Sequence, residues 1–144
     1  MVDMGQPGAF FEFLGYRFKR ALVSGKLHRF IRTKSLKRIK DRIKPLTKRA
    51  NGHSLPCIIT KLKPILRGVS EYFQHAYHGQ LKELDGWVRG RLRSILRKRR
   101  KGKGRGRGRD HHRWPNHYFE QLGLFSLEQA QKQALINLRE GVNC

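Results

Sequence analysis

Arginines recur at helical spacing in the segment 87–100, where they are suited to binding phosphate. Four arginines of this segment, Arg89, Arg93, Arg97 and Arg100, follow one another at steps of four, four and three residues. At about 100° per residue these positions share one side of a helix. The spacing therefore predicts a helix with one cationic face that is available to the phosphates of a nucleic acid.

A run of cations alternating with glycine follows this segment. It cannot bury apolar surface, so we expect a mobile linker in the absence of a ligand. Charge runs are usually solvated, but this run adjoins the basic helix face, which favours binding to RNA or DNA. Phosphate contacts carry no sequence information, so base specificity cannot be inferred. The cations are Arg97, Lys98, Arg99, Arg100, Lys101, Lys103, Arg105, Arg107 and Arg109.

A polar group after the run contains the side chains that a His-Asn-His nuclease uses to activate water and bind a metal. Such sites often need zinc-holding cysteine pairs, whereas Cys57 and Cys144 are far apart in the chain. The favoured interpretation is that these residues fix the loop or contact RNA. They are Asp110, His111, His112, Asn116 and His117.

Polymerase chemistry needs clustered aspartates that hold magnesium between phosphates. The acidic residues of this chain are scattered singly, and no Asp-Asp pair exists. We therefore expect no catalytic residue, no metal site and no cofactor.

The composition is strongly basic, with 33 Lys and Arg against 10 Asp and Glu and a net charge of +23. Because such charge opposes compaction, a polyanionic partner is expected. Nucleic acid is the first candidate, an anionic membrane surface the second and an acidic protein the third. The sequence shows neither a signal peptide nor a stretch of about 20 apolar residues. We expect a soluble, cytoplasmic protein that does not associate with membranes.

Hydrophobic periodicity predicts a mainly α fold. A short β-hairpin over residues 10–32, with its turn at 23–26, precedes a three-helix bundle. The predicted helices cover 34–50, 55–77 and 80–100. Because prolines lie inside the first two patterns, we expect an interruption at Pro45 and a bend or two abutting helices at Pro64.

A basic linker and a small pair of helices complete the predicted fold. The first of these helices is expected to end at Gly123. Ser126 and Gln129 match a capping box at the start of the second, and Phe125 with Ala130 matches a hydrophobic staple. The resulting division of the chain is 1–32, 33–101 and 102–144.

The aromatic residues have two interpretations, since they can pack in a core or stack on unpaired bases. Tyr72 and Phe73 lie on the apolar stripe of the second helix, so core packing is favoured for both. Trp87 lies between core and surface, and both roles stay open. Trp114 precedes a proline and is expected to anchor the short helix.

Several segments together resemble the C-terminal part of group II intron reverse transcriptases. The run 11–18 resembles the strand that closes the palm. Residues 62–73 and 84–96 are similar to the maturase-specific domain, also called domain X or the thumb. The segments 106–116 and 123–127 resemble the tail of bacterial members. The resemblance covers nearly the whole chain.

This resemblance implies an RNA-binding module that grips group II intron RNA and assists its splicing and mobility. It places Arg67, Trp87, Arg89, Arg91 and Arg93 in the domain that contacts intron RNA. The fingers and palm are absent from this sequence, so we expect a C-terminal fragment without its own polymerase site. Target DNA and a separately encoded palm are candidate partners. The alternatives are a generic cationic binder of nucleic acid and a non-functional remnant of an intron-encoded gene.

Overall fold

A computed structural model describes residues 10–13, 16–20, 27–101 and 108–139. The predicted turn at 23–26 lies outside the described residues, as do Lys103, Arg105 and Arg107. The strands are β1 (Phe10–Phe13), β2 (Tyr16–Arg20) and β3 (Leu27–Ile31). The helices are α1 (Thr33–Ile43), α2 (Leu55–Tyr72), α3 (His78–Arg99), α4 (Asp110–Arg113), α5 (Asn116–Gln121) and α6 (Leu127–Arg139). The prediction of a mainly α fold is confirmed.

The strands form an antiparallel sheet in the order β1-β2-β3. Phe18 of β2 is opposite Phe11 of β1 and Arg29 of β3, which sets the register on both sides. The predicted hairpin corresponds to β2 and β3, and β1 adds a third strand. A third strand helps because an isolated two-stranded hairpin is only marginally stable in water.

The sheet is attached to the start of α3 through β3. The Ile31 N–H donates to Gln80 Oε1 at 2.6 Å, and Gln80 Nε2 donates to the Ile31 carbonyl at 3.3 Å. The Tyr77 N–H donates to the Arg29 carbonyl at 2.6 Å. These bonds satisfy backbone groups at the edge of β3, while the Ile31 side chain is buried in the core.

The two internal prolines have different effects. At Pro45 the α-helix is interrupted as expected, because α1 ends at Ile43 and a 3₁₀ helix (Lys44–Thr47) follows. At Pro64 the expectation of two abutting helices is wrong, since α2 is a single helix of 18 residues. Pro64 and Thr60, whose carbonyl loses its helical partner, are both exposed, so water can satisfy that carbonyl.

The core is one cluster formed by the apolar stripes of α2 and α3 together with residues from every other helical region except α4. Phe119 of α5 and Leu127 of α6 lie in this cluster, so the C-terminal helices pack on the bundle. The core role expected for Phe73 is confirmed, but that for Tyr72 is wrong because Tyr72 is 60% exposed. The main buried residues of the two central helices are Leu55, Ile58, Ile59, Leu62, Leu66, Val69, Leu81, Leu84, Val88, Leu92 and Ile95.

A buried carboxylate of α3 caps the start of α6. Asp85 is 4% exposed and accepts from Ser126 Oγ at 3.0 Å, the Leu127 N–H at 2.9 Å and the Glu128 N–H at 3.0 Å. Burial raises the pKa of Asp85, although these hydrogen bonds oppose the shift. Ser126 Oγ also accepts from the Gln129 N–H at 3.3 Å, which confirms the N-cap role predicted for Ser126.

Asp85→Ala should lower the free energy of unfolding by about 2 kcal/mol, because it leaves buried N–H donors of α6 without an acceptor. Urea denaturation followed by circular dichroism would measure the change. Glu83→Ala is the matched control, since Glu83 is an exposed acid on the same helix. Equal losses for the two variants would contradict the capping role.

Gly90→Ala should raise the free energy of unfolding by about 0.5–1 kcal/mol. A Cβ added at Gly90 would meet no neighbouring atom within 4 Å, so the site has room for a methyl group. Alanine would therefore gain helix propensity without a clash. Thermal denaturation would test this, and a destabilised variant would show that the site is crowded.

Candidate nucleic-acid interface

The arginine at the centre of the predicted cationic face is buried. Arg93 is 4% exposed, and its guanidinium group lies 5.3 Å above the ring centroid of Phe119. Its Nε donates to the Trp114 carbonyl at 2.9 Å, and its Nη2 donates to Asn116 Oδ1 at 2.9 Å. Burial, aided by the nearby charge of Arg89, lowers the pKa of Arg93, and Asp110 opposes the shift. The expectation that Arg93 is accessible on a helix face is therefore wrong.

The neighbouring arginine along this face is also used within the fold. Arg97 Nη1 lies 2.7 Å from Asp110 Oδ2, and Asp110 is 2% exposed. Arg113 Nη1 lies 3.8 Å from the other carboxylate oxygen. Asp110 and Asn116 thus fix the segment 110–116 to α3, in agreement with the structural interpretation of this polar group.

The histidines of that polar group do not join Asp110 in a metal site. His111, His112 and His117 are exposed, whereas Asp110 is buried against arginines. In the part of the chain that the structure describes, no three His, Cys, Asp or Glu side chains are grouped to hold a metal ion. The geometry therefore favours a structural role for Asp110.

On another face of α3, Arg91 holds the 3₁₀ helix. Its Nε donates to Thr47 Oγ1 at 2.7 Å, and its Nη2 donates to the carbonyls of Thr47 and Lys44 at 3.2 and 3.3 Å. Trp87 packs against the core, with the guanidinium of Arg91 at 5.4 Å and Lys40 Nζ at 5.3 Å from its ring. Both are cation–π contacts, and the contact with Lys40 connects α1 to α3.

The C-terminal end of α3 meets the loop before α2 and forms a cationic surface. Arg99 Nη2 donates to the carbonyls of Asn51, at 3.1 Å, and His53. His53 Nε2 lies 3.4 Å from Lys61 Nζ of α2. We call this surface the basic end; its cations and histidine are Lys48, Arg49, His53, Lys61, Lys98, Arg99, Arg100 and Lys101, all exposed.

The basic end has no acidic residue in the segments that form it. No Asp or Glu occurs in residues 42–70 or 86–109. No acidic residue within these two segments neutralises their cations. The positive electrostatic potentials of the two segments therefore add in the solvent next to the basic end. This absence of acids is the sequence signal that could have identified Lys48, Arg49 and Lys61, which the search for helical spacing missed.

The other predicted contact residues lie at different positions. Arg67 is exposed and lines a shallow cleft of about 350 Å³ along α2, beside Lys63 and Gly68. Arg109 is exposed just before α4. Arg89 is half-buried, and its Nε is enclosed without a hydrogen-bond partner among the described residues. The structure therefore groups Lys98 to Lys101 but separates them from Arg67.

Among the helices described, none is both long enough and apolar enough to cross a lipid bilayer.

Arg93→Ala should lower the free energy of unfolding by about 2–3 kcal/mol, because it removes a buried cation and leaves the Trp114 carbonyl without that donor. Chemical denaturation would measure the loss, and Arg100→Ala, at an exposed position of the basic end, is the control. If the two variants unfolded at the same denaturant concentration, the structural role assigned to Arg93 would be wrong.

Comparison with known families adds an independent finding. Residues 36–114, more than half of the chain, match the family model described as group II intron, maturase-specific domain. A search of curated proteins found no match. The matched span includes most of α1, all of α2, α3 and α4, and Trp114, so it covers most of the bundle and part of the segment that Arg93 and Arg97 hold. The chain therefore belongs to the group II intron maturase-specific domain family, which implies a role in group II intron splicing.

Proposed function

We propose that this chain binds group II intron RNA through the basic end and assists splicing and mobility of the intron. The observation that carries the proposal is the convergence of exposed cations from two acid-free segments. Electrostatic contacts with phosphates supply much of the affinity for nucleic acid. Membership of the maturase-specific domain family supports intron RNA as the polyanion that is bound.

The geometry favours a preorganised surface rather than a flexible charged tail. Arg99 is tied to backbone carbonyls of the loop 51–53, so this loop and the end of α3 are held together before RNA binds. Lys98, Arg100 and Lys101 lie at the same end of α3 as Arg99. Fixing cations in advance lowers the entropy lost on binding, which increases affinity for a partner of matching shape.

Two other arginines stabilise the fold of the domain. Arg91 and Arg93 hold the 3₁₀ helix and α5 region against α3, so their effect on RNA binding is through the shape of the domain. Arg67, Arg89, Arg109 and Trp87 stay candidates for direct contact, as do Lys103, Arg105 and Arg107. Polymerase chemistry is assigned to a separately encoded palm, target DNA is a further candidate partner, and the expected location is the cytoplasm.

A generic cationic binder of nucleic acid is the second candidate. Exposed cations also cover α1, at Lys34, Lys37, Arg38 and Arg42, and these lie outside the basic end. Such a distribution favours binding without selectivity between RNA and duplex DNA. The two functions differ in how affinity depends on the shape of the nucleic acid at physiological salt.

A comparison of RNAs separates these two functions. The protein should bind a structured group II intron more tightly than a scrambled RNA of equal length in filter-binding assays at about 0.15 M salt. A generic binder would retain the two RNAs and duplex DNA equally and lose affinity for all three in parallel as salt increases. Equal affinities would therefore exclude specific recognition of the intron.

Replacing Lys98, Arg100 and Lys101 together with alanine should weaken intron binding and reduce the slope of log K against log salt by about 2, since each lost phosphate contact removes about 0.7–0.9. The charge-matched control replaces Lys82, Lys132 and Arg139, which are exposed on α3 and α6. Both variants lose three charges, so equal effects would show that overall charge, rather than the basic end, governs binding.

A further inference from the structure

A second surface lies at the opposite end of α3 from the basic end. An open pocket of about 520 Å³ is formed where β3, the connection between α2 and α3, and α6 meet. Its volume is in the range of pockets that hold small organic groups. The lining residues with side chains that can contact a ligand include Arg29, His75, Tyr77, His78, Gln131 and Leu135.

Hydrogen bonds hold the walls of this pocket together. The Tyr77 N–H donates to the Arg29 carbonyl at 2.6 Å, joining the connection to β3. Gln131 Nε2 donates to the carbonyls of Gln74 and Ala76 at 3.0 and 2.6 Å, joining the connection to α6. The three elements are thus fixed relative to one another, and the pocket is a preformed feature of the fold.

An aromatic ring is positioned at the pocket. The Tyr77 ring lies 5.3 Å from the Phe30 ring and 4.7 Å from the His78 ring, measured between centroids. Gly79 provides the space for this ring, because a Cβ at Gly79 would lie 2.7 Å from Tyr77 Cε1. Tyr77 is half-buried, so its ring is supported by the protein while part of it stays accessible.

The chemistry of the lining fits one nucleotide. Unpaired bases are recognised by stacking on Tyr and His rings and by hydrogen bonds to their edges. Gln131 can offer its Oε1 as an acceptor, since its Nε2 is used by backbone carbonyls. Arg29, His75 and His78 are exposed and can contact a phosphate. Leu135 is an apolar wall of the pocket.

We propose that this pocket binds an unpaired nucleotide of RNA, with the base against Tyr77 and His78 and the phosphate beside Arg29. The proposal rests on the RNA-binding function and adds recognition of single-stranded positions, which the basic end alone does not provide. A protein segment is less suited to the pocket, because Leu135 is the only large aliphatic side chain among the described lining residues, which are largely polar and aromatic.

The probe is an RNA hairpin that carries one bulged 2-aminopurine, compared with a hairpin of equal length that is completely paired. The wild-type protein should bind the bulged hairpin about five- to tenfold more tightly, the effect expected of one stacked base. The fluorescence of the 2-aminopurine should change on binding. Equal affinity for the two hairpins would overturn the proposal.

A matched pair of variants locates the effect. Leu135→Glu places a charge in the pocket, whereas Leu138→Glu makes the same change at a position of α6 that does not line it; Leu135 is 52% and Leu138 is 67% exposed. Leu135→Glu should abolish the preference for the bulge and leave affinity for the paired hairpin equal to that of Leu138→Glu. Identical preferences in the two variants would contradict binding at this pocket.

Gly79→Ala provides a test that does not change charge. The added methyl group should displace the Tyr77 ring, so the preference for the bulged hairpin should fall while affinity for the paired hairpin is unchanged. An unaltered preference, with the ring shown by NMR to have moved, would overturn the role of Tyr77. Failure of the protein to bind any RNA would instead refute the proposed function and the pocket together.

Discussion

A row of charged side chains along α3 determines how the C-terminal segment folds onto the bundle. Asp85, Arg89, Arg93 and Arg97 are four residues apart, so they lie along one side of the helix. Asp85 caps α6, Arg93 binds the turn before α5, and Arg97 pairs with Asp110. Because an unpaired buried charge is costly, the contacts of the segment 110–128 stabilise α3 as well as the segment itself.

The same row explains why the basic end, the surface proposed for nucleic acid, lies at the end of α3. Protein acceptors occupy Arg91, Arg93 and Arg97, whereas the side chains from Lys98 to Lys101 are exposed at the helix end. There the loop 51–53 approaches from the other side and adds cations of its own. Clamping of the C-terminal segment and the proposed RNA contacts therefore use different side chains of one helix, and their order along α3 follows from which part is covered.

The helices could be predicted well from the sequence, because apolar periodicity, Pro45 and Ser126 are local signals with local consequences. Prediction from the sequence was wrong where a residue's surroundings come from parts of the chain that are distant in sequence. Spacing gave Arg93 the correct angular position but could not show that Trp114, Asn116 and Phe119 would cover it. The prediction that Tyr72 packs in the core was wrong for a related reason. Tyr72 lies in the last turn of α2 and is exposed, whereas the neighbouring Phe73 is buried in the core. The basic end joins residues far apart in sequence and therefore depends on tertiary structure.

The length of α3 sets a constraint on any RNA that uses both surfaces. The pocket proposed to bind a nucleotide lies at the start of α3, at Tyr77 and His78, and the basic end includes Lys98–Lys101. A helix of 22 residues is about 33 Å long at 1.5 Å per residue. A short oligonucleotide can therefore contact only one of the two surfaces, whereas a folded RNA can contact both. The proposed selectivity for a large structured RNA would then follow from simultaneous use of the two sites, because binding at one site raises the effective concentration of RNA at the other.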